Sequence, residues 1–162
     1  HDIPTTVERT LRVLMKAGVD LVDLHCSGGY EMMARAAEVV HAAGEKVIGV
    51  TVLTSMDEED LQAVGVNATP AAQVVNLARL AKKAGLDGVV ASAQESALLR
   101  QAFGPGFLLV TPGIRPAGST ANDQVRVVTP REALAAGSSY LVVGRPVTRA
   151  EDPRQALFDL WK

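Results

Sequence analysis

The sequence has one cysteine, few aromatic residues and no apolar run that approaches the length of a membrane span. Cys26 is the single cysteine, which excludes an internal disulfide and a metal site built from several thiolates. It also favours a reducing, cytoplasmic setting. Aromatic residues make up 4% of the chain, too few to favour a surface that stacks nucleic-acid bases. His, Asp and Glu show no metal-ligand spacing, so we expect no metal.

The charges are nearly balanced, with a formal net charge of −2 and a pI near 5.9. This balance argues against nucleic acid or an anionic membrane as the main partner. A small anionic ligand stays possible, because a local group of Arg side chains and backbone N–H donors does not need a basic protein. The 48% hydrophobic and 21% charged content suits a soluble globular protein, and we expect residues 1–162 to form a single domain.

Helical and strand patterns alternate along the chain. Four helices are predicted to end in Ala-Gly just before an apolar strand, and glycine is the usual residue after a helix end. Such alternation predicts a parallel sheet wrapped in helices, with barrel and open sheet both open at this point. The predicted helices span 4–17 and 30–43, and three more begin at Pro70, Pro130 and Pro153, the last running through Trp161. The predicted strands span 20–24, 46–53, 86–91, 107–110 and 140–143. Ser55 and Glu58 have the spacing of a capping box at the start of a helix.

Polar loops follow the last two predicted strands. The strand 107–110 stops at Thr111-Pro112-Gly113-Ile114-Arg115, and the loop continues to Gln124. The strand 140–143 stops at Gly144-Arg145, and Thr129-Pro130-Arg131-Glu132 between them starts a helix. Neighbouring parallel strands place such loops at the same end of the sheet, so Arg, Gln and backbone N–H groups should meet there. We expect an anion, most plausibly a phosphate.

Six short segments together carry a family resemblance that runs the length of the chain in order. Taken together they resemble the bacterial orotidine 5′-phosphate decarboxylase family. The resemblance implies a TIM (β/α)8 barrel with its active site at the carboxyl ends of the strands. The segments are His1-Asp2-Ile3-Pro4-x-Thr6, His25-x-Ser27-Gly28-Gly29, Leu53-Thr54-Ser55, Thr111-Pro112-Gly113-Ile114-Arg115-Pro116, Asp123-Gln124 and Val143-Gly144-Arg145-Pro146.

By this resemblance the chain decarboxylates orotidine 5′-monophosphate to uridine 5′-monophosphate in de novo pyrimidine biosynthesis, without a cofactor. Asp2 matches the last acid of the family's Asp-x-Lys-x-x-Asp array, whose Lys is the proton donor. That Lys is expected upstream of residue 1. A complete barrel needs about 250 residues, so the chain is expected to lack the N-terminal strands and to hold about strands 4–8.

The resemblance also assigns ligand contacts. Gly144 and Arg145 would hold the phosphate, and Arg offers it a bidentate contact. Gln124 would touch both the phosphate and the pyrimidine, and Arg115 would add a further contact. Thr54 would contact the pyrimidine. In the family pattern Thr6 is also a ligand contact, and Asp2 reaches the neighbouring subunit's site, which implies a homodimer.

Other residues have simpler structural interpretations. His25 is expected to be structural, His41 to lie on the surface, and Cys26 to be a small buried residue. Asp2, without the resemblance, reads as the N-cap of the first helix.

Three alternatives compete with the decarboxylase. A sugar-phosphate decarboxylase of the same superfamily shares the Lys/Asp array, but the Thr-Pro-Gly-Ile-Arg-Pro segment with Asp-Gln favours the nucleotide enzyme. Another phosphate-binding barrel would explain Gly144-Arg145 but not His1-Asp2-Ile3-Pro4. A non-catalytic phosphate-binding fragment would bind ligand without turnover.

Overall fold

The computed structural model describes residues 1–115 and 128–160, and it divides into two compact units. The first unit comprises His1–Val52 and Ala71–Val90, and the second unit falls within Leu53–Pro70 and Ala91–Lys162. The elements in chain order are α1 (Pro4–Lys16), β1 (Leu21–His25), α2 (Tyr30–Ala42), β2 (Lys46–Val50), α3 (Glu58–Ala63), α4 (Pro70–Lys83), β3 (Gly88–Val90), α5 (Ala93–Phe103), β4 (Leu108–Thr111), α6 (Pro130–Ala135), β5 (Tyr140–Leu141), α7 (Arg145–Thr148) and α8 (Pro153–Asp159), with a short 3-10 helix at Cys26–Gly28.

In the first unit, β1, β2 and β3 pair in parallel in chain order. The middle strand, β2, is buried at Val47, Ile48 and Gly49, as its β-branched composition predicts for a strand covered on both faces. Just beyond β2, the backbone N–H and the hydroxyl of Thr51 both donate to the carbonyl of Val90, at 3.1 and 2.7 Å. Thr51 therefore holds the carboxyl ends of β2 and β3 together.

Gly49 makes close packing possible in the core of the first unit. A Cβ atom at this position would overlap the Sγ of Cys26 and press on the side chain of Leu86. Cys26 is fully buried, as expected. The two residues are 23 positions apart in the chain, so neither one alone signals the contact.

Helices α1 and α2 of the first unit share a small ion-pair network. Glu8 on α1 accepts from Arg12 at 2.9 Å and lies 3.6 Å from Arg35 on α2. The hydrogen bond from Arg12, helped by the charge of Arg35, lowers the pKa of Glu8. All three side chains reach solvent, so the network contributes little to stability.

In the second unit, β4 and β5 pair in parallel, with Val110 opposite Tyr140. The helix α6 between them starts with a capping box: Thr129 accepts from the Glu132 N–H, and the Glu132 carboxylate accepts from the Thr129 N–H. The Thr129 hydroxyl also donates to the Glu132 carboxylate at 2.6 Å, and this bond, with the one from the Thr129 N–H, lowers the pKa of Glu132. A buried cluster of Ala93, Ile114 and Ala133 packs with Val128, Leu141 and Val143.

Arg100 at the end of α5 ties three backbone segments of the second unit together. Its guanidinium donates to the carbonyl of Gly137 just before β5, to the carbonyls of Gly104 and Phe107 before β4, and to the hydroxyl of Ser139. The planar group with its fixed N–H directions suits this role, and a lysine does not reproduce it.

Most of the predicted elements are confirmed, with shorter strands. The alternation of helices with parallel strands is present, and glycines with φ of +74°, +83°, +89° and +102° follow the four predicted helix ends. In the described residues α8 ends at Asp159, before Trp161. No helix in residues 1–115 and 128–160 is both long and apolar enough to span a bilayer.

Two predicted caps are wrong. The N-cap of α3 is Asp57, whose carboxylate accepts from the N–H groups of Glu59 and Asp60, two residues after the predicted Ser55. Asp60, three residues after Asp57, completes the capping box. The pair Ser55 and Glu58 has the same spacing but lies two residues too early in the chain. Asp2 accepts from its neighbour Ile3 at 2.6 Å, and Ile3 occupies the N-cap position of α1.

We predict that Gly49→Ala lowers the free energy of unfolding by about 1–3 kcal/mol, because the added methyl group overpacks a filled core. Denaturant unfolding measures this. In the double variant with Cys26→Ala, the smaller side chain makes room, so the two changes should cost less together than their sum. Gly106→Ala, where a Cβ meets no atom within 4 Å, is the control. Strict additivity would contradict the packing described.

We predict that Arg100→Met lowers the free energy of unfolding by about 1–3 kcal/mol or more. This is the cost of leaving a buried carbonyl, such as that of Phe107, unpaired. Arg100→Lys should recover only part of that loss. The matched control is Arg79→Met on the exposed face of α4, where Arg79 bonds only the neighbouring Asn76 side chain among the contacts described. Equal unfolding midpoints for the two methionine variants would show that the Arg100 contacts contribute nothing.

Candidate functional site

The first unit contains a cavity of about 400 Å³ at the start of α1 and the end of β1. Asp2 and Thr6, two of the predicted site residues, both line it. The start of α1 brings them together, because Pro4 opens the helix and Thr6 lies in its first turn. The structure therefore groups these two candidates as the sequence motif predicted, and their role in ligand binding stays a prediction.

Two histidines border the same cavity. The rings of His1 and His25 are stacked with centroids 6.4 Å apart and planes inclined by 24°. His25 ends β1, so its ring sits at the carboxyl edge of the strand, where active-site groups of parallel α/β proteins collect. The stacking agrees with a structural role for His25.

Asp23 is a cavity residue that the sequence interpretation missed. It lies on β1 two positions before His25, so the two side chains share one face of the strand, while Val22 and Leu24 on the other face are buried. The alternation of apolar and polar residues along Leu21–His25 could have predicted that Asp23 lies on the same face as His25. With Asp2, it gives the cavity two carboxylates.

In the second unit, Arg115 is a buried cation. Its side chain is only 7% exposed, and it follows β4 by four residues. Its Nη1 donates to the carbonyl of Ile114 at 2.8 Å, and its backbone N–H donates to Val128 at 3.0 Å. Its Nε is also buried and has no acceptor within the part of the chain that the structure describes. An unpaired buried donor is costly, so this guanidinium suits an anionic acceptor.

Gly144 and Arg145 follow β5 by three and four residues. The sequence predicted a Gly-Arg turn there; the structure shows that Gly144 is the N-cap of the four-residue helix α7, which Arg145 opens. Gly144 is exposed, and a Cβ there would meet no atom of the described residues within 4 Å. Arg145 is half-buried. The surroundings of Gly144 are therefore open enough for a ligand to approach the backbone.

Because β4 and β5 are parallel neighbours, Arg115 and Arg145 both follow the carboxyl ends of paired strands. Thr54, also in the second unit, is buried at 7% exposure in the turn before α3. Gln124 lies outside the described residues, so its contacts stay a prediction. The second unit thus offers cationic donors, which suit a phosphate, and the first offers carboxylates.

Other groups in the two units give no alternative chemistry. Within the described ranges 1–115 and 128–160, no three His, Cys, Asp or Glu side chains are grouped closely enough to hold a metal ion. A second cavity, of about 350 Å³, is lined by apolar side chains such as Leu134, Leu141 and Leu157 and contains none of the predicted site residues. Burial raises the pKa of the Cys26 thiol to about 12, so this group is protonated at neutral pH and is a poor nucleophile.

Comparisons with known proteins agree on one family. The model of the "Orotidine 5′-phosphate decarboxylase / HUMPS family" matches residues 1–159. An orotidine 5′-phosphate decarboxylase of Pseudoalteromonas translucida (strain TAC 125) is 54% identical over 100% of this chain and 70% of its own length. The enzyme of that name from Pseudomonas aeruginosa (strain LESB58) is also 54% identical, over 97% of this chain and 68% of its own length.

A solved structure shares the fold. The crystal structure of orotidine 5′-phosphate decarboxylase from Lactobacillus acidophilus superposes with a TM-score of 0.85 at 38% identity, and the match covers 99% of this chain and 70% of the other. The parallel α/β arrangement is therefore that of a TIM-barrel family.

We predict that the Cys26 thiol resists alkylation in the folded protein. With a pKa near 12 against the ordinary 9.0, its thiolate fraction at pH 8 should be about 10³-fold lower than in the unfolded chain. The same shift makes folding stability fall as pH rises above 9.0, where the unfolded thiol ionises first and the native one does not. Iodoacetamide labelling with and without denaturant measures the reactivity, and rapid labelling of the native protein would contradict the burial.

Proposed function

The chain belongs to the orotidine 5′-phosphate decarboxylase / HUMPS family, and we propose that it catalyses the cofactor-free decarboxylation of orotidine 5′-monophosphate to uridine 5′-monophosphate. The observation that carries the proposal is the match over residues 1–159, together with identities of 54% to relatives that bear this enzyme's name. Arg115, whose buried Nε has no acceptor among residues 1–115 and 128–160, supports an anionic substrate.

In this proposal the second unit holds the nucleotide. Arg145 and the backbone of Gly144 bind the phosphate, with Arg115 and Gln124 as further contacts, and Thr54 contacts the pyrimidine through its hydroxyl or N–H. Two arginines following the ends of paired strands β4 and β5 support this assignment. Binding energy gained at the phosphate, away from the reacting carbon, is available to organise the site for the transition state.

The chemistry requires stabilisation of a carbanion. Loss of carbon dioxide leaves a poorly delocalised charge on the pyrimidine, and a lysine ammonium beside that carbon stabilises it and then protonates it. We assign Asp2 to the carboxylates that hold this lysine in place, and Thr6 in the same cavity to a ligand contact. The lysine of the array is proposed to precede residue 1, in the part of the relatives' length that this chain does not cover.

The proposal extends to the assembly. We propose a single (β/α)8 barrel domain of which residues 1–162 supply about strands 4–8. It is proposed to work in the cytoplasm as a homodimer in which Asp2 reaches the neighbouring subunit's site. A sugar-phosphate decarboxylase is the alternative within the superfamily, and the names of the relatives at 54% identity favour the nucleotide substrate.

We expect Arg145→Ala to lower kcat/KM for orotidine 5′-monophosphate by about 10- to 100-fold, because it removes charge-assisted hydrogen bonds to the phosphate. The fall in ultraviolet absorbance as substrate is consumed measures turnover. Arg149→Ala, four residues later and exposed, is the matched control and should keep wild-type kcat/KM.

Two results would count against the proposal. Wild-type turnover by the Arg145→Ala variant would remove the phosphate assignment. Binding of uridine 5′-monophosphate without any decarboxylation by the unsubstituted protein would instead select a non-catalytic phosphate-binding protein.

A further inference from the structure

A chain of three buried hydroxyl groups links β4, the segment before β5, and α5 in the second unit. The Oγ1 of Thr111 lies 2.7 Å from the Oγ of Ser138, which in turn lies 3.2 Å from the Oγ of Ser96. Their residues are 0%, 9% and 1% exposed. Polar groups this deeply buried are held in place by their mutual hydrogen bonds, since each would be costly to leave unpaired.

Thr111 also contacts or begins both segments that are proposed to bind the phosphate. It ends β4, and Arg115 follows it by four residues. Its carbonyl accepts from the N–H of Val142 at 2.9 Å, and Gly144 and Arg145 follow Val142 by two and three residues. The side chain and the carbonyl of one residue thus contact the two ends of the segment that contains β5.

Beyond Thr111, Ile114 and Val143 pack in the buried cluster with Ala93 and Ala133, but the backbone pairing of the two strands is short. β4 and β5 share only two register pairs, Val110 with Tyr140 and Thr111 with Leu141. Pro112 has no N–H to donate. The next ordered contacts after β4 are those of Gly113 and Arg115 with Val128. A pairing this short fixes direction weakly, so the hydrogen bonds from Thr111 to the residues on either side of β5 matter for where the two arginines point.

We propose that Thr111 is a positioning residue for the phosphate subsite: through Ser138 and Ser96 its hydroxyl fixes how β4 and β5 present Arg115 and Arg145. This inference rests on the proposed function. Thr111 touches no ligand in this scheme, and its hydroxyl acts only through the backbone segments that carry the arginines.

The test compares variants that delete the hydroxyl without changing the volume. Thr111→Val should weaken binding of uridine 5′-monophosphate by about 3- to 10-fold, the range of one lost hydrogen bond. Ser138→Ala should act in the same direction, and Thr111→Ser should restore affinity because it keeps the hydroxyl. Calorimetric titration measures affinity, at a temperature well below the unfolding midpoint of each variant.

Thr51→Val is the matched control. Thr51 is 6% exposed, ends a parallel strand pair in the first unit, and donates its hydroxyl to Val90 at 2.7 Å. It should lower thermal stability much as Thr111→Val does while leaving nucleotide affinity unchanged. A role of Thr111 in stability alone predicts instead that affinity is unchanged in both valine variants.

The outcomes separate the two proposals. Affinity of Thr111→Val equal to wild type, equal weakening in Thr51→Val, or failure of Thr111→Ser to restore affinity would each overturn the positioning role while the proposed function stands. Absence of uridine 5′-monophosphate binding by the unsubstituted protein would overturn the proposed function and, with it, the ligand that Thr111 is proposed to serve.

Discussion

Parallel strand pairing is the constraint on which the rest of both units depends. A parallel neighbour is reached only by a long crossover, here supplied by a helix, so every strand of a unit ends at the same edge. In the first unit this brings His25 to the edge at which Thr51 bonds Val90. In the second it makes Thr111 and Leu141 neighbours and sends the following loops in the same direction.

Polar groups then determine how firmly those edges are held. Arg100 satisfies three carbonyls in the segments before β4 and β5, while the hydroxyl of Thr111 at the end of β4 bonds that of Ser138 in the segment before β5. In the second unit, side-chain hydrogen bonds from both α5 and the end of β4 thus converge on the segment that precedes β5. Arg115 differs from these groups, because its buried Nε has no acceptor among the described residues. In the described part of the chain it is the one buried side-chain donor of this kind, and it suits an anionic acceptor.

Part of the candidate site could be predicted from the sequence, because many of its residues lie beside local structural signals. Asp2, Thr6, Arg115, Gly144 and Arg145 each follow a strand end or open a helix, and such positions are marked locally by proline, glycine and capping residues. Asp23 carries no such mark, because it lies within a strand, and the proline and glycine after Thr111 mark the end of a strand without indicating what its hydroxyl contacts. The prediction of Ser55 as N-cap was wrong for a related reason. Asp57 and Asp60, two acids with the same spacing, form the capping box of α3 instead.

The sequence by itself determined the five strands and most of the helices, because caps, glycines and hydrophobic periodicity act over a few residues. It also determined the family, because six short segments recur in order over the whole length. Only the tertiary structure decided that Cys26 packs on Gly49 and that Thr111, Ser138 and Ser96 form one chain. The hydroxyl partners are 27 and 42 positions apart, and contact at such distances depends on strand register and on how helices lie over strands, which no local pattern encodes.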